Sequence, residues 1–192
     1  MTLLLNGAYA QMADITANTG TAVARQDEDG TGGIGFVLGY NWAKKGLPIR
    51  SELEYNFRFR YDFDIRVTNQ AGYENNLRSH VFFANAYYDI PFTDRWTAYV
   101  GGGIGLSMNR SEVERTALDG GAKSKRDDST ASFAWNLGFG FVWRAWTDWD
   151  LEFRYRHADL GEIESGPHSD GTLITTDSYI SHDFMFGIVY RL

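Results

Sequence analysis

Four histidines are the side chains in this sequence best suited to acid–base chemistry near neutral pH: His80, His157, His168 and His182. A hydrolase of the Ser–His–acid type needs a serine hydroxyl within hydrogen-bond reach of the imidazole. Three of the histidines adjoin a serine, but neighbouring side chains in a β-strand point to opposite faces. One constellation with catalytic spacing is left, His157 with Asp159 and Glu162. We interpret it as polar residues at the end of a strand.

The sequence lacks the motifs that bind a metal or a nucleotide and those that perform covalent catalysis. The absence of cysteine excludes disulfides, thiolate catalysis and cysteine-ligated zinc. The sequence contains nothing like HExxH, a Walker loop or a nucleophile elbow. The string Gly101, Gly102, Gly103 and Gly105 is not followed by a helical pattern, so we expect these glycines to relieve crowding inside a narrow barrel. The sequence therefore predicts no catalytic residue, no cofactor and no metal site.

Two segments carry acidic residues followed by arginines in the same order. One begins with Glu52 and Glu54, and the other begins with Asp150 and Glu152. In a protein interior such charges must be paired, most effectively as bidentate arginine–carboxylate pairs. We predict one charge network, made of Glu52, Glu54, Arg58, Arg60, Asp62, Asp64, Arg144, Asp150, Glu152, Arg154, Arg156 and Arg191.

The elements that must position these charges are long β-strands. Within 52–67, all eight odd positions are apolar or aromatic and all eight even positions are polar. Sixteen residues of this alternation predict a two-faced strand roughly 50 Å long, whereas strands of soluble proteins usually have about five or six residues. A weaker first strand within 2–13 and six similar segments make eight: 33–42, 82–90, 96–109, 133–144, 149–156 and 183–192.

The chemical contrast between the two faces predicts a transmembrane barrel. The interior of an eight-stranded barrel is only just wide enough for side chains to fill, and cannot hold the 30 aromatic rings of this chain. The aromatic face must point outward, and only lipid tolerates so much exposed apolar surface. We predict an all-β fold with one domain, 1–192, forming an eight-stranded antiparallel up-and-down transmembrane β-barrel.

Whole-chain composition excludes a helical membrane protein and argues against a nucleic-acid-binding protein. Mean hydropathy is −0.36, and the sequence has no uncharged run long enough for a membrane-spanning helix. The formal net charge of −7 argues against a nucleic-acid partner. Averaging the two faces of each strand makes the composition resemble that of a soluble protein.

The predicted charges lie on the inner face of the barrel. Two roles of these charges are compatible with the sequence. One is a salt-bridged plug that fills the barrel, and the other is a narrow ion path or gate opened by rearranged pairs. At the strand ends we expect Arg144 and Arg191 to neutralise Asp150 and Glu152, because an unpaired buried charge is costly.

The connections between strands set the orientation. Short connections are predicted at 43–48, 91–95 and 145–148, and long polar ones at about 13–30, 68–77, 110–129 and 159–177. Outer-membrane barrels have short periplasmic turns and long extracellular loops, so both termini are expected in the periplasm. Five of the six tryptophans fall at the turn-side strand ends and predict an interfacial aromatic girdle: Trp42, Trp96, Trp143, Trp146 and Trp149.

Several fragments carry a family resemblance: GGIGFVLGYNW, LPIRSELEYNFRFR, FFANAYYDIP, WTAYVGGGIGLSMN, LEFRYRHADLG and FMFGIVYRL. They resemble the opacity-type branch of small outer-membrane β-barrels, which is similar in fold to the OmpA membrane domain and OmpX. The resemblance covers the chain from about residue 32 onward. It implies exposure on the surface of a Gram-negative outer membrane, with adhesive or antigenic loops. Leu192 departs from the aromatic residue that usually ends the assembly signal of such barrels.

The expected partners are outer-membrane lipid and lipopolysaccharide, the barrel-assembly machinery during biogenesis, and a surface or envelope protein; no nucleic acid is expected. A structural or surface-interaction role, carried by the loops of a plugged barrel, is favoured. The alternatives are a channel for ions or small solutes, a lipid-modifying enzyme, and an accessory subunit of an envelope complex. The start of the chain lacks the basic region of a signal peptide, so we expect Met1 to begin a mature chain from which the signal was removed.

Overall fold

The computed structural model describes residues 1–17, 22–26, 28–67, 72–116, 123–165 and 173–191 and consists almost entirely of β-structure. No helix in this part of the chain is long and apolar enough to cross a membrane. The strands are β1 (Thr2–Ala17), β2 (Ala22–Gln26), β3 (Glu28–Asn41), β4 (Ile49–Val67), β5 (Gly72–Pro91), β6 (Trp96–Thr116), β7 (Lys123–Arg144), β8 (Trp149–Asp159), β9 (Ile163–Ser165) and β10 (Ile174–Tyr190).

Eight of these strands close into an antiparallel barrel. Their order is β1-β3-β4-β5-β6-β7-β8-β10, and the pairing of β10 with β1 completes the ring. The short strands β2 and β9 pair with β4 and β10. Each of the eight barrel strands is therefore paired on both sides, which is the condition for crossing hydrocarbon with strands. The predicted fold class is confirmed.

Apolar side chains cover the outside of the barrel, as the alternation predicts. Leu53 is 65% exposed, Ile104 62% and Phe184 64%. The residues adjacent to them along each strand point inward; Glu54 and Asp183, for example, are buried. A surface of this kind is stable only against lipid.

The strands are longer than the sequence predicted. Strands β4 to β7 contain 19 to 22 residues, whereas about ten tilted residues suffice to cross a bilayer. The predicted bounds of the long connections were therefore wrong, because β1, β5, β6, β7 and β10 continue into 13–17, 72–77, 110–116, 123–129 and 174–177. Residues 18–21, 68–71, 117–122 and 166–172 lie outside the described part of the chain.

Compact turns join the strands at the opposite end, as predicted. Between β3 and β4, a short 3₁₀ helix (Trp42–Lys45) begins where the Asn41 side chain accepts a hydrogen bond from the Ala43 amide, and it ends at Gly46 with φ of 77°. A left-handed residue after a helical turn favours glycine. Between β5 and β6, the Thr93 hydroxyl oxygen accepts a hydrogen bond of 2.9 Å from the Trp96 amide. These turns fix the register in which the charged strands enter the barrel.

Glycines make room for large side chains inside the barrel, as expected. A Cβ atom added to Gly140 would lie 2.5 Å from the hydroxyl oxygen of Tyr99. One added to Gly101 would lie 2.8 Å from the ring of Tyr87. The two tyrosine rings meet edge to face with their centroids 5.1 Å apart. The lumen has room for them because the residue paired with each tyrosine on the neighbouring strand is a glycine.

Candidate functional site: the lumenal charge network

Arg154 is at the centre of the charge network inside the barrel. Its guanidinium extends from β8 to β4, where Nη2 lies 2.9 Å from a carboxylate oxygen of Glu52 and Nη1 lies 3.1 Å from one of Glu54. On its own strand, Nη2 lies 2.8 Å from Glu152. The Arg154 side chain is fully buried. One cation therefore links strands that are four positions apart in the ring.

Tyrosine hydroxyls complete the surroundings of this guanidinium. Nε of Arg154 donates to the hydroxyl of Tyr99 at 3.0 Å, and Nη1 donates to that of Tyr87 at 3.2 Å. The Tyr99 hydroxyl in turn donates to Glu152. Hydrogen bonds from neutral donors spread the negative charge of the buried carboxylates and hold their geometry.

A second group of charges lies nearer the end of the lumen that is opposite to the short turns. Asp183 of β10 accepts hydrogen bonds from Arg58 at 2.6 Å and from Arg156 at 2.6 Å, and the Ser181 hydroxyl donates to it at 2.6 Å. Nη1 of Arg156 also lies 2.7 Å from Glu54. Arg156 thus connects this group to the carboxylates around Arg154.

Arg50 closes the network at the turn side. Its Nε lies 3.0 Å from Glu52, and its Nη2 lies 3.7 Å from Glu152. The guanidinium also stacks 4.5 Å from the ring centroid of Tyr99, within cation–π range. The Arg50 side chain is 13% exposed, so it separates the buried charges from the periplasmic opening.

Charges within the network balance. It contains four cations and four carboxylates: Arg50, Arg58, Arg154, Arg156, Glu52, Glu54, Glu152 and Asp183. We call these eight residues the lumenal network. A fifth carboxylate, Asp89, lies at the turn-side rim, 3.9 Å from Nε of Arg50, and is not counted in this network. Burial of charge in this number is tolerable because each guanidinium lies within 4 Å of a carboxylate of opposite sign.

The pairing at the turn-side rim differs in part from the expectation. Arg191 does pair with Asp150, at 2.9 Å. Glu152, however, is paired with Arg154 and Arg50, and Arg144 donates to the backbone oxygen of Asp94. The expected pairing of Glu152 with the rim arginines was wrong, because Glu152 points into the lumen one layer above them and a nearer guanidinium lies on its own strand.

Six of the twelve predicted network residues meet in the lumenal network: Glu52, Glu54, Arg58, Glu152, Arg154 and Arg156. The side chains of Arg60, Asp62 and Asp64 lie outside the described part of the structure. Sequence reasoning left out Arg50 and Asp183. The signal that could have found them is their alternation, since both occupy the polar phase of their strands.

All five predicted girdle tryptophans lie at the turn-side ends of strands or in the turns themselves. The rings of Trp96 and Trp143 stack across β6 and β7 with centroids 5.9 Å apart. Nε1 of Trp42 donates to the Ser51 hydroxyl at 3.0 Å, and the Trp149 ring packs 4.8 Å from that of Tyr190. Trp146 is 63% exposed in the β7–β8 turn. Their contact with a bilayer interface stays a prediction.

The histidines and serines occupy opposite faces, as the alternation predicts. The Ser181 hydroxyl bonds to Asp183 inside the barrel, whereas Nδ1 of His182 lies 2.8 Å from the Tyr155 hydroxyl on the outside. The carboxylate of Asp159 accepts a hydrogen bond from the Gly161 amide at 2.9 Å. His157 packs against the rings of His182 and Trp135. His168 lies outside the described residues.

The part of the chain that the structure describes contains no group of three or more histidine, cysteine or acidic side chains that could hold a metal ion. The carboxylates of the lumenal network are each engaged by arginine, so they have little capacity to abstract a proton from a substrate. The chemistry that this arrangement supports is cross-linking of the barrel walls.

A closed eight-stranded barrel with a lipid-compatible outer face and a charged interior defines a small transmembrane β-barrel protein. The sequence matches the family described as "outer membrane protein beta-barrel domain" over residues 5–191. The chain belongs to this family, and its location is the outer membrane of a Gram-negative bacterium.

Relatives agree with this assignment. The chain is 27% identical to the outer membrane protein PagN of Salmonella typhimurium over 174 residues, which is 84% of this chain and 73% of that protein. Its fold is similar to that of Neisserial surface protein A, with a TM-score of 0.58 at 19% identity, covering 100% of this chain and 96% of the other. It is also similar to OprG from Pseudomonas aeruginosa, with a TM-score of 0.51 at 14% identity, covering 100% and 96% of the two chains.

Proposed function

We propose that this protein is a non-enzymatic surface-interaction barrel whose interior is closed by the lumenal network and whose outer end contacts partners. The observation that carries the proposal is the burial of balanced charge across the whole width of the lumen. Arg154 and Arg156 both connect β8 to carboxylates of β4. A pathway for ions or solutes would require these pairs to separate.

Closure is favoured by the number of bonds that would have to break together. Arg154 alone contacts three carboxylates and two tyrosine hydroxyls. If a guanidinium moves away from such partners and is not hydrated, it leaves unpaired charges in the interior. Each unpaired buried charge costs several kcal/mol. The tyrosine pair next to Arg50 adds bulk at the periplasmic opening.

Planar-bilayer recording tests the closed lumen. We expect the wild-type barrel to insert without steady single-channel conductance in concentrated potassium chloride. The variant with Arg50→Ala and Tyr99→Ala removes the bulk at the turn-side opening and is expected to conduct more than the wild type. A steady, reproducible conductance of the wild-type protein would exclude the plug and favour the channel.

The outer end of the barrel is the surface that we propose for partner binding. Strands β4 to β7 extend about twice as far as a bilayer crossing requires, so their far halves form a wall that rises above the membrane. Exposed segments carried on a rigid scaffold are the usual place for recognition. We propose lipopolysaccharide and a surface or envelope protein as partners there, outer-membrane lipid around the apolar face, and the assembly machinery during biogenesis.

Deletion of residues 112–127 tests this surface. The change removes the ends of β6 and β7 and leaves the lumenal network intact. We expect the shortened barrel to keep its heat-dependent shift on electrophoresis while attachment of expressing bacteria to a cultured cell layer falls. Cells expressing the Arg191→Gln variant at matched surface level serve as the control, since this residue lies at the periplasmic rim. Unchanged attachment by the deletion variant would contradict a binding role for the β6–β7 wall.

A further inference from the structure

Two histidines lie side by side on the outside of the barrel, on the face opposite to the lumenal network and away from the short turns. His157 of β8 and His182 of β10 are directly opposite in the register of the two strands. Their ring centroids are 5.0 Å apart, and both rings are half-buried. With a Zn–N bond of about 2.0–2.1 Å, two imidazoles on one tetrahedral zinc ion have centroids roughly 5 Å apart. The spacing of this pair matches that arrangement.

Tyr155 fixes one of the two rings. Its hydroxyl oxygen lies 2.8 Å from Nδ1 of His182. When Nδ1–H donates to this oxygen, Nε2 carries the free lone pair and becomes the metal-binding atom. Metal-binding histidines almost always have such a hydrogen bond on the second ring nitrogen, because it sets the tautomer and the ring orientation. Among the described residues, His157 makes ring contacts and no hydrogen bond, so its nitrogens are available.

The height of the pair puts it near the extracellular edge of the apolar band. His157 lies eight residues beyond Trp149, which puts it about 20 Å above that tryptophan for a strand tilted by about 40°. The apolar band of such barrels is about 25 Å tall, so the pair lies near the extracellular boundary. Asp159, on the same face two residues further along β8, adds negative charge nearby.

We propose that His157 and His182 form a surface site for one divalent transition-metal ion of the zinc or copper type. The protein supplies two imidazole nitrogens, and water completes the coordination. Imidazole suits these metals rather than calcium or magnesium, which prefer oxygen ligands. The site is separate from the proposed closure of the lumen, so either proposal can fail without the other.

His80 provides a matched control within the same barrel. Its Nδ1 lies 2.8 Å from the hydroxyl of Tyr55, which reproduces the Tyr155–His182 hydrogen bond. Its neighbours across the two adjacent strands are Phe57 and Met108, so it has no second imidazole beside it. A histidine with the same local hydrogen bond but no partner separates binding by the pair from binding by any exposed imidazole.

The test is titration of the full chain, purified without a polyhistidine tag, with zinc chloride by calorimetry and with copper(II) chloride by tryptophan fluorescence. Trp135 lies 5.7 Å from the His157 ring, so bound copper is expected to quench its emission. We expect one saturable site per chain. His157→Gln and His182→Gln are each expected to weaken binding at least about tenfold, His80→Gln to leave it unchanged, and Tyr155→Phe to weaken it less than loss of either imidazole.

Two results would overturn the proposal: the absence of saturable binding to the wild-type barrel, or an equal loss of affinity in His80→Gln and His157→Gln. Retention of the electrophoretic shift shows that each variant is folded. If a variant fails to fold, zinc titration of the wild type followed by NMR of the imidazole signals decides the matter. Movement of two imidazole signals together supports the pair, and movement of one or none excludes it.

Discussion

Replacing Arg154 with methionine is expected to destabilise the folded barrel by about 3–5 kcal/mol, the range typical when one partner of a buried ion pair is removed. Methionine keeps much of the side-chain volume but leaves the carboxylates of Glu52, Glu54 and Glu152 with two arginines, Arg50 and Arg156, within 4 Å. Folded proteins are stable by about 5–15 kcal/mol, so this loss is a large part of the total.

Denaturant unfolding of the refolded barrel in lipid vesicles, followed by tryptophan fluorescence, measures the change. The matched control is Arg191→Met, which also removes an arginine from an ion pair, with Asp150 at 2.9 Å. The Arg191 side chain is 33% exposed, so its pair is hydrated and is expected to contribute about 1 kcal/mol or less. Equal, small losses in both variants would show that the network does not stabilise the barrel.

A partial rescue distinguishes the charge of Arg154 from its shape. Arg154→Met leaves three carboxylates short of cations, and adding Glu52→Gln removes one of them. The neutral amide at position 52 needs hydrogen bonds but no cation. We expect the double variant to regain part of the lost stability, with a coupling of about 0.5–3 kcal/mol. A double variant less stable than Arg154→Met would point to packing rather than charge as the main contribution.

The faces of the barrel could be predicted from sequence because alternation is a local property. Each strand that crosses lipid must keep its apolar side chains outside. The strict alternation from Glu52 to Val67 reflects this requirement at every residue. The same rule placed Glu54 and Arg156 in the lumen correctly. The same parity, extended to Arg50 and Asp183, puts both on the inner face, although neither was included in the predicted network.

Partners across the lumen could not be predicted in the same way. Which residue of β8 lies level with Glu54 depends on the stagger that accumulates around the ring, and no single segment carries that information. The reach of arginine matters as well: Arg154 and Arg156 cross to β4, whereas a nearest-neighbour estimate assigned Glu152 to the rim arginines.

Strand ends were missed for a different physical reason. Above the bilayer both faces of a hairpin contact water, so the two-residue alternation is no longer required. The ladder of backbone hydrogen bonds continues without it, as the pairing of Thr116 with Lys123 shows. A polar segment without alternation is therefore compatible with a loop or with an extended hairpin, and sequence periodicity does not distinguish the two.

Asp183→Asn is the second change expected to have a large effect, with a loss of about 3–5 kcal/mol in the free energy of unfolding. The carboxylate of Asp183 lies 2.6 Å from both Arg58 and Arg156, and its side chain is fully buried. Asparagine has nearly the same shape and can still accept a hydrogen bond. The destabilisation therefore reports the missing negative charge, because Arg58 then has no carboxylate within 4 Å among the described residues.

The exposed Asp94, in the β5–β6 turn, gives the matched substitution Asp94→Asn, for which we expect no measurable change. The decisive variant combines Asp183→Asn with Arg58→Met. The lumenal network then has three arginines and three carboxylates, and Arg156 keeps Glu54 at 2.7 Å. Because balance is restored, the combined loss is expected to be about 1–3 kcal/mol smaller than the sum of the two single losses, as measured by the same denaturant unfolding. Strictly additive losses would mean that these residues act as separate packing elements, and that charge balance does not hold the lumenal network together.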